Sequence, residues 1–178
     1  MINIGNVLAL QQNLEESTRR YQEALAIALE IDDKPSALLA RSNIGANLIV
    51  ESDFRQARSV LEEALKTARE IGDELDTINT LTNLGMVFVN QGDFVQAQKS
   101  LQESMTKARQ LDLKSSIAYN LEWIGDTDLA QDDLVSAEKN YQESLTIRTA
   151  LGQRGDIASS ELSIAELGLC LLYTSRCV

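Results

Sequence analysis

The chain of 178 residues contains no histidine. That absence removes imidazole general bases, Ser-His and Cys-His dyads, and nearly all zinc sites. Its only cysteines, Cys170 and Cys177, stand in the last nine residues, so no disulfide can staple the body of the fold, and a reducing compartment suits it. A single proline and nine glycines argue against a loop-rich fold, and 4% aromatics against a large aromatic core. Positive charge is scarce: 16 Lys+Arg against 27 Asp+Glu leave a formal charge of −11. Duplex nucleic acid and anionic membrane, which both demand a basic face, are disfavoured as partners. No apolar run approaches the roughly 18 residues of a membrane span, and no basic segment opens a secretory signal. The length suits one domain or one compact array, and 44% hydrophobic residues can build its core. A soluble cytoplasmic protein is expected.

What the chain has in abundance is self-similarity. Gly5, Gly45, Gly85 and Gly125 are each 40 residues apart, and each follows a branched apolar residue, Ile4, Ile44, Leu84 or Ile124. Nine residues on comes an apolar anchor (Leu14, Phe54, Phe94, Leu134), just preceded by a polar cap (Asn13, Asp53, Asp93, Asp133). Twelve residues after each glycine stands a small side chain (Ser17, Ala57, Ala97, Ala137), and sixteen after it a large one (Tyr21, Leu61, Leu101, Tyr141). A period in this range is the mark of a repeat architecture.

Each unit reads as two helices. Over 54–71 the apolar residues Phe54, Ala57, Val60, Leu61, Ala64, Leu65, Ala68 and Ile71 fall in steps of three and one, a helical stripe. Asn13 with Glu16, Asp53 with Gln56 and Asp93 with Gln96 have the spacing of a capping box at its start. Glu62/Lys66 and Glu103/Lys107 are spaced for pairing on its outer face. The preceding helix is expected over about 35–51, with Asp33 as cap and Pro35 in the first turn. Turns as short as Ser52-Asp53, Gly92-Asp93 and Asp132-Asp133 make the two helices antiparallel neighbours. A glycine inside a helix costs about 1 kcal/mol, and close helix–helix approach explains its return, with the small residues twelve positions on as expected partners. One hairpin cannot bury its own apolar face, so the hairpins stack into an all-α solenoid.

These residues resemble the tetratricopeptide repeat. With Gly45 as that motif's glycine, Ile44 fills its leucine position, Leu48 its tyrosine position, and Ala57, Leu61 and Ala64 its Ala, Phe and Ala positions. The motif's early tryptophan is replaced by Arg41, Leu81 and Leu121, and its terminal proline by Arg69, Arg109 and Thr149. The 40-residue period, with Gln-Gly-Asp-Phe turns, is similar to arrays of kinesin light chains and of multidomain bacterial signalling proteins. The resemblance implies a right-handed superhelix over 1–169, with repeats at about 1–34, 35–74, 75–114 and 115–154 and the first helix of a fifth at 155–169.

Both ends look cut from something longer. Repeat one begins at residue 3 without a leading turn. Register fails after Leu169, where Leu171-Leu172-Tyr173-Thr174 replaces the expected turn. One reading frame of a common sequencing-library transposon end encodes the string Cys170–Ser175, so 170–178 is expected to be a cloning scar or disordered tail, the alternative being an apolar capping segment.

No enzyme constellation is present: there is no phosphate-binding glycine loop, and the carboxylates read as a charge-rich helical surface without a calcium frame. Neither a cofactor nor a metal is expected. The resemblance instead implies a concave face, lined by the first helix of each pair, that binds a peptide or partner domain. By that resemblance the residues two before the repeat glycines, Asn3, Asn43, Asn83 and Trp123, point into it. Asn6, Met86 and Asp126 follow one turn on, and Asn79 and Tyr119 one turn before. An amide both donates and accepts, so an asparagine column can hold a peptide backbone. Tyr119 and Trp123 would form an aromatic anchor and Met86 an adaptable apolar surface. The alternative for the asparagines is tuning of helix stacking, and for Trp123 packing between hairpins. No basic clamp forms among these positions, so a neutral-to-basic or apolar segment suits the face better than an acidic tail. The likeness implies a module of a bacterial regulator; the alternative is a structural spacer or self-association surface.

Overall fold

The computed structural model describes residues 1–175, with side chains through Gly168. Every regular element among them is a helix: α1 (Ile2–Leu10), α2 (Leu14–Glu30), α3 (Lys34–Val50), α4 (Phe54–Ile71), α5 (Glu74–Asn90), α6 (Phe94–Gln110), α7 (Lys114–Ala130), α8 (Leu134–Leu151) and α9 (Arg154–Ser175). Successive helices form the hairpins α1/α2, α3/α4, α5/α6 and α7/α8, and each even-numbered helix also packs on the next odd-numbered one. The side chains of the segment 170–178, expected to be a scar, lie outside the described residues, as does its backbone beyond Ser175.

The helix boundaries follow from one device used at nearly every corner. Asn13, Asp33, Asp53, Asp73, Asp93 and Asp133 each accept a hydrogen bond, through the side chain, from the backbone N–H three residues on. That satisfies one of the orphan donors of a helix start. The backbone N–H of the same residues closes the preceding helix, as in Asp53 N to Leu48 O at 2.9 Å and Asp93 N to Phe88 O at 2.9 Å. One residue earlier the chain turns left-handed, at Gln12, Asp32, Ser52, Gly72, Gly92, Asp112, Asp132 and Gly152, a beat of twenty residues. Leu113 takes the capping place of α7 without a side-chain bond and packs instead against the apolar cluster that contains Ile78, Met105 and Leu121.

The repeat glycines do bring the helices of each hairpin together, but not against the small residues expected. A Cβ on Gly45 would lie 2.5 Å from Leu61 Cδ2, on Gly85 2.5 Å from Leu101 Cδ2, and on Gly5 2.4 Å from Tyr21 Cε1. The partner is thus the large residue sixteen positions on, whose side chain occupies the space a Cβ would take. The small residue twelve positions on serves alongside: Ser17 Oγ donates to Gly5 O at 2.9 Å. The outer-face carboxylates and lysines also take partners other than those expected from Glu62/Lys66 and Glu103/Lys107. Glu62 takes Arg58 at 2.8 Å, Glu103 takes Arg69 of the neighbouring hairpin at 2.6 Å, and Lys107 reaches Glu74 at 2.7 Å. For Glu103 and Lys107 a neighbouring helix supplies the nearer partner, whereas Glu62 pairs with the turn before it in α4.

Candidate functional site

Curvature places the site. The odd-numbered helices α3 and α5, and α5 and α7, contact each other directly across the hairpins, whereas α4, α6 and α8 are bridged by ion pairs between long side chains such as Arg69–Glu103 and Arg109–Glu143. The odd-numbered helices therefore form the inner, concave wall. On it lies a cleft of about 340 Å³. From α5 come Asn79, Thr82 and Asn83, from α7 Ser115, Ser116 and Tyr119, and from the α8–α9 corner Arg148, Gln153 and Asp156.

Of the residues singled out by sequence, the cleft unites Asn79, Asn83 and Tyr119. Asn79 and Tyr119 are exposed and Asn83 half-buried. Trp123 stands edge-on to Tyr119, ring centroids 6.5 Å apart and planes at 78°, outside the cleft lining. Its buried Nε1–H finds no partner among the described residues, nor does the Asn43 amide nitrogen. Asn3 lies exposed on α1, and Met86 half-buried on α5. Asn6 and Asp126 are engaged within their own hairpins: Tyr21 donates its hydroxyl to Asn6 Oδ1 at 2.7 Å, and Tyr141 to Asp126 Oδ1 at 2.6 Å. Burial pushes the Asp126 carboxyl up from its ordinary range, against the Tyr141 bond, while Glu122 and Glu166 add to the rise. The Tyr141 hydroxyl is driven upward too, by burial and then by its bond to Asp126.

Several polar residues of the inner wall escape a reading based on the glycine register. Asn120 is fully buried and donates to Ser104 Oγ at 3.0 Å and Ser116 O at 2.9 Å, while its Oδ1 accepts from Thr82 at 3.2 Å. Asn47 donates likewise to Ser17 at 3.0 Å and Thr18 at 2.9 Å. These asparagines knit neighbouring hairpins together, the role weighed as the alternative for the asparagine column. A buried ion pair likewise lies outside that register. Arg148, 3% exposed, donates to Glu122 Oε2 at 2.6 Å, Ser160 Oγ at 2.7 Å and the Asp156 carbonyl at 3.0 Å. Ser159 donates to the other Glu122 oxygen at 3.1 Å. The signal was available in the alignment of the repeats: Arg148 occupies the place of Ala28, Ala68 and Ala108, and Glu122 that of Ile2, Ser42 and Thr82.

The cleft therefore offers amides, hydroxyls and one aromatic ring, groups that bind by hydrogen bonding and stacking, with the exposed Asp156 carboxylate and the ion-paired Arg148 beside them. Among the described residues no three His, Cys, Asp or Glu side chains gather to hold a metal ion, and no helix is long and apolar enough to cross a membrane.

Comparison with known proteins agrees with this architecture. A tetratricopeptide repeat model matches residues 1–70 and 36–110. The crystal structure of BtubC (BKLC) from P. vanneervenii superposes with a TM-score of 0.77 at 21% identity, over 92% of this chain and 68% of that one. A STAND signal-transduction ATPase with a tetratricopeptide repeat sensor, from Pyrococcus horikoshii, superposes with a TM-score of 0.78 at 14% identity, over 90% of this chain and 25% of that one. At such identities the likeness shows the fold. No curated protein matches the chain. Register, hairpin geometry and a family match over more than half of its length agree: the chain belongs to the tetratricopeptide repeat family.

Proposed function

We propose that the concave face binds a peptide or a segment of a partner domain, centred on the cleft between α5, α7 and the α8–α9 corner. Tetratricopeptide repeats are protein-interaction modules, and the observation that carries the finer reading is the cleft itself. Asn79 and Asn83 present two amides one helical turn apart, and the Tyr119 ring faces them from α7. No protein partner takes up the side-chain amide of either asparagine among the hydrogen bonds described for Thr82, Asn120 and Arg148, their neighbours on the wall. Amides so placed can pair with both the N–H and the C=O of an extended chain. Asp156 lines the cleft, and Arg148, the cation of that lining, is spent on Glu122, so a neutral-to-basic or apolar segment suits it. Nucleic acid and anionic membrane do not, given the charge of −11.

The same reading makes the array one part of a larger signalling or regulatory protein of the bacterial cytoplasm. Membership of a larger signalling protein is supported by the STAND ATPase, of which a segment like this chain is only 25%. The test of the binding site is direct. Peptides selected from a displayed random dodecapeptide library on the immobilised chain are titrated against wild type and N79A/N83A. Losing two amide contacts should weaken binding by roughly tenfold or more, at unchanged helicity by circular dichroism. Equal affinity for both proteins places the ligand elsewhere.

A further inference from the structure

We infer that Glu122 sets the charge selectivity of the cleft: by neutralising Arg148 in its floor, it makes the cleft a site for uncharged hydrogen-bonding groups and shuts out carboxylates. This rests on the groove reading above and specifies its ligand chemistry.

The argument starts from what the stack does without the pair. At the equivalent places the first hairpin carries Ile2 and Ala28, the second Ser42 and Ala68, and the third Thr82 and Ala108. Ala28, Ala68, Thr82 and Ala108 are all buried, so the hairpin closes with small or uncharged side chains there. A buried ion pair gives back little net stability, because the desolvation of both charges offsets their attraction. Packing alone therefore gives no reason to place Arg148 and Glu122 in the fourth hairpin. Both are nearly closed to solvent, at 3% and 8% exposure, yet Arg148 lines the cleft.

An unpaired guanidinium in such a floor would draw a carboxylate strongly, since charge-assisted hydrogen bonds are the strong ones. Here three of its five N–H donors are already committed, one of them to a carboxylate. Nη2 faces Glu122, and Nη1 is shared between Ser160 and the Asp156 carbonyl. Ser159 holds the second Glu122 oxygen, so the carboxylate is fixed from both sides. A ligand carboxylate entering the cleft would meet a cation already neutralised, with the Asp156 side chain at the rim. A carboxamide, hydroxyl or main-chain amide meets Asn79, Asn83, Ser116 and Tyr119 without paying to desolvate a charge. The ligand segment should thus place Asn, Gln, Ser or Thr here.

Dodecapeptide selections on wild type, E122Q and E122T/R148A test this. The double variant gives the fourth hairpin the Thr/Ala pair that the third already carries. The wild-type and double-variant pools should both favour Asn, Gln, Ser and Thr and be poor in Asp and Glu. Glu122→Gln leaves Arg148 charged and unneutralised, so its pool should turn acidic. A wild-type peptide whose anchoring Asn is changed to Asp should then gain roughly tenfold on E122Q relative to wild type, the worth of one hydrogen bond to a charged group. A wild-type pool rich in Asp, Glu, Lys or Arg overturns the inference, as does one more acidic than the double variant's. If E122Q and wild type select alike, Glu122 is not the determinant, while the groove reading survives provided that N79A/N83A still weakens the peptides. Should no protein select any peptide, the groove reading itself falls and this inference with it.

Discussion

Replacing Gly85 by alanine probes the contact on which every hairpin depends. The added Cβ would sit 2.5 Å from both Cγ and Cδ2 of Leu101, and 3.3 Å from Cδ1. Ordinary carbon contacts lie near 3.5–4.0 Å, so Leu101 would have to retreat by about 1 Å. It has nowhere to go, being 0% exposed at the interface of α5 and α6. Overpacking of this kind costs about 1–3 kcal/mol, against which alanine returns about 1 kcal/mol of helix propensity. The net expectation is a loss of about 0–2 kcal/mol, and a suitable control separates the two contributions. Gly168 lies inside α9 with no described atom within 4 Å of its added Cβ, so alanine there should gain about 1 kcal/mol from propensity alone. Urea unfolding followed by far-UV circular dichroism, with the slope checked for constancy, measures both. The gap between the variants isolates the clash, about 1–3 kcal/mol. A second arm tests the geometry: Leu101→Ala should cost about 2–5 kcal/mol in wild type but less in the Gly85→Ala background, where the new methyl enters the void. If both glycines respond alike, or the double mutant is additive within about 0.3–0.5 kcal/mol, the glycine is not there for Leu101.

Arg148→Ala strands the Glu122 carboxylate in the interior and should cost about 3–5 kcal/mol, whereas E122T/R148A should cost far less; equal losses would show that the pair is not a closed unit. Asp126→Asn carries a sign. Burial raises the folded-state pKa of Asp126, so its contribution to stability is full below the unfolded value and lost as pH rises through the folded one. The amide still accepts from Tyr141 without a charge to bury, so D126N should be the more stable protein at neutral pH and lose that lead below about pH 4; thermal melts across pH check it, and a lead that persists in acid refutes it. Ser52 is exposed with φ 60, so Ser52→Gly should relieve about 1–2 kcal/mol of left-handed strain and give back about 0.5–1 kcal/mol in chain entropy. A melting temperature that falls would contradict that balance.

Much of the scaffold could be read from the chain because its signals are local. A helix start announces itself when Asp53 stands three residues before Gln56, and the structure has that bond at 3.0 Å. A turn announces itself at Gly92 but not at Asp32 or Asp112, where the same left-handed geometry is held by residues with a Cβ. Spacing on a single helix left Glu62 with two partners one turn away, Arg58 and Lys66, of which it takes Arg58, and it misled for Glu103 with Lys107, since the partner of Glu103 comes from another hairpin. The glycines show the same limit. Their sequence neighbourhood marks a close approach, yet only the packing of Leu61, Leu101, Tyr21 and Tyr141 reveals what approaches.

The inner wall divides along similar lines. Asn79, Asn83 and Tyr119 could be placed together because helical phase and the register of the glycines fix their face. The Arg148–Glu122 pair could not, since it joins α7, α8 and α9 through bonds spanning 26 and 12 residues. Comparing repeat with repeat would have exposed it. Two aligned interior columns that otherwise hold Ile, Ser, Thr and Ala each acquire a charge in the same hairpin, with opposite signs. Isolated, either charge would be expelled from the interior at a cost of several kcal/mol, so each is tolerable only beside the other. Positions that keep the register make the hairpins stack. A matched pair that breaks it, at the floor of a cleft, changes what can approach from outside while leaving that stacking intact.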